Sequence, residues 1–229
     1  MSEKIINEKI VKYVPEIRGT LRDHMINLPL VMREASGIKV FGKRIKSLAF
    51  TTDIAVIKNI NADAILAVYP FTPQSVITEA LVTASDVPIF CGVGGGLTMG
   101  KRVINLALNA EFTGAMGVVV NSPTSNEIIG AVRDAIDIPI IVTVVSERDD
   151  IEKRIEAGAS ILNVSAGKNS ADLVRKIRKE YSEFPIIATG GKNEESIRDT
   201  IQAGANAISY TPPSTAELFK ETMERYREA

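Results

Sequence analysis

From about residue 44 onward the chain alternates two hydropathy patterns. Short, nearly continuous apolar runs such as PIIVTVV (139–145) and PIIATGG (185–191) predict strands buried on both faces. Between them, Ile recurs every fourth position among charged residues, as in RDDIEKRIEAGA (148–159) and EESIRDTIQAGA (194–205). That spacing predicts helices with one apolar face. Eight strands are expected near 45–51, 64–69, 88–93, 117–121, 139–145, 161–165, 185–189 and 207–211, each followed by a helical segment. Ser214 and Glu217 have the S-x-x-E spacing of a capping box and mark the start of the last helix.

The alternation contains a repeat. Residues 137–167 and 183–213 align without a gap at an offset of 46. Pro139, Ile140, Ile141 and Thr143 match Pro185, Ile186, Ile187 and Thr189, and Ala157-Gly158-Ala159 matches Ala203-Gly204-Ala205. Each copy reads strand, helix, strand, and the helices end at glycine, the residue that tolerates a left-handed cap. Regular β/α alternation of this length predicts an α/β (β/α)8 TIM barrel over 44–229. Residues 1–43 read as an N-terminal helical extension interrupted by Pro15, Gly19 and Pro29. GIKVFGKRIKSLAF (37–50) adds a short hairpin with Gly42 at its turn. The extension is expected to cover the barrel's N-terminal end or to join a subunit interface, which makes a homo-oligomer conceivable.

Composition narrows the partners. Lys plus Arg number 27 against 28 Asp plus Glu, a net charge of −1. A polyanion-binding protein shows a basic excess, so no nucleic acid partner is expected. One cysteine excludes an internal disulfide and a cysteine metal cluster. No apolar run approaches the roughly 18 residues of a membrane helix, and the charged N-terminus lacks a signal-peptide core. The expectation is a soluble cytoplasmic protein with no membrane partner.

Chemistry in such barrels sits at the C-terminal strand ends. The seventh strand ends in Thr189-Gly190-Gly191-Lys192, where the repeat's first copy has Val144-Val145. Two bare amides there can face an anion, beside the positive N-terminus of the last helix at Ser214. The alternative is a tight strand-to-helix turn. Phosphate binding is therefore expected at Gly190, Gly191, Thr211 and Ser214. Asn121, Asn163, Ser165 and Thr189 are uncharged hydrogen-bonders suited to a polyhydroxylated ligand, with Tyr69 as a wall or donor. Asp53, in FTTD, serves either as general base or as N-cap of the next helix. Lys168 and Lys192 could neutralise a phosphate or protonate an enolate oxygen. No metal site is expected; Asp53 and Glu147 make only a thin case for Mg²⁺. His24 precedes the barrel, and buried Cys91 reads as a small hydrophobe, so a nucleophilic triad is not indicated.

FPIIATGGKNEESIRDTIQAGANAISYTPPS (184–214) resembles the closing quarter of the ribulose-phosphate-binding barrel superfamily. That group includes phosphoribosylanthranilate isomerase, hexulose-phosphate synthase and N-acetylmannosamine-6-phosphate epimerase. The resemblance implies a phosphate gripped by Gly190, Gly191 and the last strand's loop. Those enzymes usually carry a further glycine after the eighth strand, where this chain has Thr211-Pro212-Pro213. ANAISYTPPSTAELFKE also resembles the end of the glycerol uptake operon antiterminator, a regulatory barrel. Over its length the chain resembles uncharacterised bacterial barrels, some labelled hydrolases, though no hydrolytic apparatus is visible. Together these imply isomerase, epimerase or lyase chemistry on a small phosphorylated metabolite through an enediolate, or ligand sensing without turnover. No cofactor is expected; paired glycines at the seventh strand also hold FMN phosphate in flavin barrels, but the chain is short for that class and has no Trp.

CGVGGGLTMGKR (91–102) is the most glycine-rich stretch. Its G-x-x-x-x-G-K spacing mimics a P-loop, but Arg102 stands where Ser or Thr must hold Mg²⁺. The better expectation is a glycine floor, Gly94, Gly95 and Gly96, at the mouth of the barrel. There backbone amides could approach a ligand, or a neighbouring loop or subunit could pack closely.

Overall fold

The computed structural model describes residues 25–191 and 193–228, together with residues 15, 17, 19 and 20. His24, Lys192 and most of the N-terminal extension, for which the sequence raised expectations, therefore lie outside the described residues. A 3-10 turn, Leu30–Glu34, leads into a hairpin of β1 (Ile38–Val40) and β2 (Lys43–Ile45). The barrel follows as β3 (Ser47–Phe50), α1 (Ile54–Lys58), β4 (Ala64–Ala67), α2 (Ser75–Ala84), β5 (Ile89–Gly94) and α3 (Lys101–Thr113). It continues through β6 (Gly117–Val120), α4 (Asn126–Arg133), β7 (Ile140–Val144), α5 (Ile151–Ala157), β8 (Ile161–Val164) and α6 (Ser170–Glu180). β9 (Ile186–Thr189), α7 (Glu194–Gln202), β10 (Ala207–Tyr210) and α8 (Thr215–Glu228) complete it. The eight barrel strands pair in parallel and close, β10 against β3. Each lies within about two residues of its sequence-based position.

Alternation along the strands divides the core into two layers. Residues facing the helices, among them Ile65, Cys91, Val118, Val142, Val164, Ala188 and Ile208, pack against helix residues such as Val103, Ile129, Val174 and Ile197. Residues facing the barrel axis include Leu48, Leu66, Phe90, Val119, Ile141, Ile161 and Ile187. Ile38, Val40 and Ile45 of the hairpin join this inner cluster, so the hairpin plugs the barrel's N-terminal end. Each such side chain is worth roughly 1.5–3 kcal/mol when fully buried. The hairpin turns on Phe41 and Gly42, both at positive φ (45° and 83°). This is the backbone twist that two-residue hairpin turns require.

The last helix, like the short α5, has no buried residue, and Phe219, Met223 and Tyr226 stand exposed along one side of it. Among the described residues no helix is long and apolar enough to cross a membrane.

Candidate functional site

A cavity of about 720 Å³ lies at the C-terminal ends of β8, β9 and β10. Five of the expected site residues line it together: Lys168, Thr189, Gly190, Gly191 and Thr211. Ser170, Asn193, Ser196, Thr200 and Ser209 also line it, and sequence reasoning had not singled them out. Their signal was available only for Ser209, which shares the inward parity of Thr211 two residues later. The lining holds two charged residues, Lys168 and Asp199, and Asp199 is ion-paired with Arg175. Lys168 sits in a 3-10 turn, Gly167–Asn169, exposed and without an ion pair among the described residues. The cavity's unbalanced charge is thus positive.

The glycine pair shapes this wall. A Cβ on Gly190 would lie 2.7 Å from Ile208 Cγ2 and 2.9 Å from Ile197 Cγ1. Gly191 has φ +83°, and a Cβ there would meet the Ser196 side chain. Only four residues, 190–193, separate β9 from α7, so the helix's first turn presses on the strand end. Asn193 caps it: its Oδ1 accepts from Ser196 N at 2.9 Å, and Ser196 Oγ accepts from Asn193 N at 3.4 Å. A tight turn is therefore a sufficient reason for both glycines, and the cavity opens beside it.

The N-terminus of α8 is occupied by protein carboxylates. Ser214 donates its N–H and its hydroxyl to Glu217 Oε2, each at 2.7 Å. The capping box is present, and it consumes the donors that Ser214 would offer a phosphate. Thr215 gives its N–H (3.2 Å) and its hydroxyl to Asp53 Oδ2. Asp53 Oδ1 meanwhile caps α1, accepting from Ala55 N (2.9 Å) and Val56 N (3.2 Å). Burial would raise the Asp53 pKa, but the Thr215 hydroxyl and the Val56, Thr215 and Ala55 amides outweigh it and hold it below the ordinary value. A carboxylate so engaged is a strap between α1 and α8, and a poor proton acceptor.

The remaining expected residues fall in two places. Asn121, Asn163 and Ser165 share the inward parity of their strands with Thr143 and Thr189. Asn163 Nδ2 donates to Thr143 Oγ1 (3.3 Å), Thr143 Oγ1 to Asn121 Oδ1 (3.5 Å), and Thr189 Oγ1 to Ser165 Oγ (3.4 Å). The inward positions of the first strands are apolar instead, Phe50 and Val68, so the mouth has a polar side and an apolar side. Tyr69 has the opposite parity, and its hydroxyl accepts from Gln74 N (3.2 Å) at the start of α2.

The CGVGGG loop makes close contacts of its own. A Cβ on Gly94 would lie 2.7 Å from Val103 Cγ1 of α3, and one on Gly95, at φ +106°, would lie 2.5 Å from Asn121 Cβ. Gly95 N donates to Thr98 O at 3.0 Å. Gly94 and Gly95 thus let neighbours approach, while Gly96 is exposed with open space about it.

Two side chains that the sequence did not flag fix the loops after β6 and β7. Arg154 donates to Ser122 O (2.6 Å), Asn126 Oδ1 (2.9 Å) and Thr124 O. Asp149 accepts from Ser122 Oγ (3.0 Å), Val145 N (3.0 Å) and Ser146 N (3.1 Å). Glu147 pairs with Lys176 Nζ at 2.8 Å, apart from Asp53, so the two do not form a common cation site. Cys91 is buried on the helix-facing side of β5, and burial pushes its thiol up to about 12, far from a reactive thiolate.

No protein-family profile matches the chain. It is 27% identical over 159 residues to a 4-hydroxy-tetrahydrodipicolinate synthase of Acidiphilium cryptum, covering 64% of this chain and 54% of that protein. It is 36% identical over 56 residues to a thiamine-phosphate synthase of Staphylococcus saprophyticus, covering 24% of this chain and 26% of that one. The matches thus span about half and a quarter of those relatives' lengths. Among solved structures, 2,3-dimethylmalate lyase, a member of the PEP mutase/isocitrate lyase superfamily, superposes with a TM-score of 0.57 at 13% identity, covering 80% of this chain and 77% of its own. These likenesses support a TIM barrel without singling out the ribulose-phosphate-binding group. What this chain shares with them is the closed (β/α)8 architecture.

Proposed function

We propose that the chain is a barrel enzyme of lyase or isomerase kind acting on a small phosphorylated or otherwise anionic metabolite. The carrying observation is the cavity that gathers Lys168, Thr189, Gly190, Gly191 and Thr211 at the strand ends where barrels bind substrates. The anion lies on the β8–β9 side, next to the Gly191 amide and Lys168, which has no ion pair among the described residues; the Gly190 and Asn193 amides already donate to Ser209 O and Ser196 Oγ, each at 3.4 Å. The α8 side contributes little, since Glu217 and Asp53 already take its donors. Lys168 neutralises the bound anion or protonates an enediolate oxygen. The resemblance to lyase and mutase barrels supports the reaction class, and no cofactor is invoked.

A second reading, a barrel that senses the same ligand without converting it, is favoured by one observation. Among the described residues the inward positions of β7 to β10 carry hydroxyls and an amide but no titratable side chain, and Asp53 is held in its strap. Thermal-shift measurements against a panel of sugar phosphates, with product analysis of each hit by NMR, separate the two. The enzyme reading expects a shift that Lys168→Ala weakens, together with a new product. Binding without product over hours favours the sensor, and no shift with any phosphorylated compound sinks both.

A further inference from the structure

Asn163 is 6% exposed, and its Oδ1 accepts no hydrogen bond, one of two such buried side-chain atoms among the described residues. Buried polar atoms of folded proteins nearly always find a partner, so an orphan of this kind asks for one. Its orientation follows from its neighbours. The Thr143 hydroxyl has a single proton and spends it on Asn121 Oδ1. It can then only accept from Asn163, which turns Nδ2 toward Thr143 and leaves Oδ1 without a partner.

Asn163 does not line the cavity itself but stands beside it. Ser165, the next inward residue on β8, is hydrogen-bonded to Thr189, which lines the cavity. Asn163 lies two residues deeper, about 7 Å along the strand. Buried Ser209, inward on β10, also lines the cavity, so its floor extends below the rim. A molecule whose anion rests at Gly190–Gly191 would bring its other end toward Asn163. Among the described residues no carboxylate projects from the inward strand positions to balance an ammonium ion, so the matching donor is a neutral one such as a hydroxyl.

We propose that Asn163 is a specificity-determining residue, an acceptor that reads a hydroxyl at the end of the substrate remote from its phosphate. The substrate class is then a polyol phosphate. This rests on the phosphate-binding reading above, and the test separates the two. Affinities for inorganic phosphate, ribitol 5-phosphate and pentyl phosphate are measured by calorimetry on the wild type, Asn163→Leu and Lys168→Ala.

The expected result is a wild-type preference for ribitol 5-phosphate over pentyl phosphate of about tenfold or more. Asn163→Leu erases that preference, leaves inorganic phosphate affinity unchanged and keeps Tm at or above the wild type, because leucine removes the orphan carbonyl. Equal affinities of the wild type for the two organic phosphates, or a preference that survives Asn163→Leu, overturn the inference while the phosphate site stands. Failure of all three probes to bind the wild type, or Lys168→Ala leaving phosphate affinity intact, counts against the phosphate site itself. Should Asn163→Leu not fold, Thr143→Val releases the amide from its fixed orientation. It is expected to reduce the preference about threefold or more, and an unchanged preference overturns the inference.

Discussion

The two copies of the internal repeat, β7–α5–β8 and β9–α7–β10, share their strand starts and the glycine that ends each helix, then part at the strand ends. In the first, Val144 is fully buried, Val145 stands at the rim, and residues 145–150 lead to α5 in a loop pinned by Asp149. In the second, Gly190 and Gly191 replace the valines and α7 starts after residues 190–193. The shorter loop draws the helix start onto the strand, and only residues without Cβ leave room for Ser196 and Ile197. The comparison teaches that one duplicated frame can make two different mouths. The frame is fixed by core residues, and the mouth by a few positions past the last strand residue.

The comparison breaks most sharply if the second copy is given the first copy's residue. Gly191→Val forces a β-branched side chain to φ +83° and into Ser196, and is expected to cost about 3 kcal/mol in urea denaturation. A loss below about 1 kcal/mol would mean that the turn relaxes and that packing does not explain the glycine. The opposite change one position earlier, Val144→Gly, which gives the first copy the residue of Gly190, empties a buried position and should cost about 2–3 kcal/mol. Phosphate affinity should be unchanged by it, and a loss of binding would place the ligand on the first copy instead.

Asp53→Ala removes the α1 cap and the strap to α8, at an expected cost of about 1–2 kcal/mol. The pH dependence gives an independent check. The folded pKa of Asp53 lies below its ordinary 3.8, and that of Glu217 below its ordinary 4.5. For Glu217 the cause is hydrogen bonding from the Ser214 backbone and hydroxyl. The unfolded chain therefore binds protons first as pH falls. The stability these groups provide is full above the ordinary values and is lost as pH drops through the folded ones. Denaturation midpoints from pH 6 to 2 should fall less steeply in Asp53→Ala, and an identical slope would refute the strap. The smallest effect on stability is expected for Lys168→Ala, within about 0.5 kcal/mol of the wild type. Its phosphate affinity should nevertheless drop about tenfold.

The barrel was legible because strand and helix periods alternate without a break, and because the repeat showed where one unit ends. The hairpin was legible from Gly42. The glycine pair was found through its mismatch with Val144-Val145, but its packing reason needed Ser196, Ile197 and Ile208 in place. Hydrogen-bond direction at the strand ends was the hardest part to read. Tyr69 and Asn121 sit at similar strand ends, yet parity sends one toward α2 and the other inward. Asp53 fitted two roles equally well until Thr215, far away in sequence, claimed its second oxygen. Arg154 and Asp149 looked like ordinary helix charges, and nothing local marks them as loop clamps.

The strap from Asp53 to Thr215 joins residues 162 positions apart, across the seam where β10 meets β3. A ring of strands closes at one seam, and that closure joins the most distant parts of the chain. The amide proton of Thr215 is therefore a natural reporter of ring closure. In a refolding experiment with pulsed deuterium labelling, its protection should appear together with that of the β3–β10 ladder. With no buried residue of its own, and with Phe219, Met223 and Tyr226 in solvent, α8 is the element beside that seam where the finished ring would begin to fray.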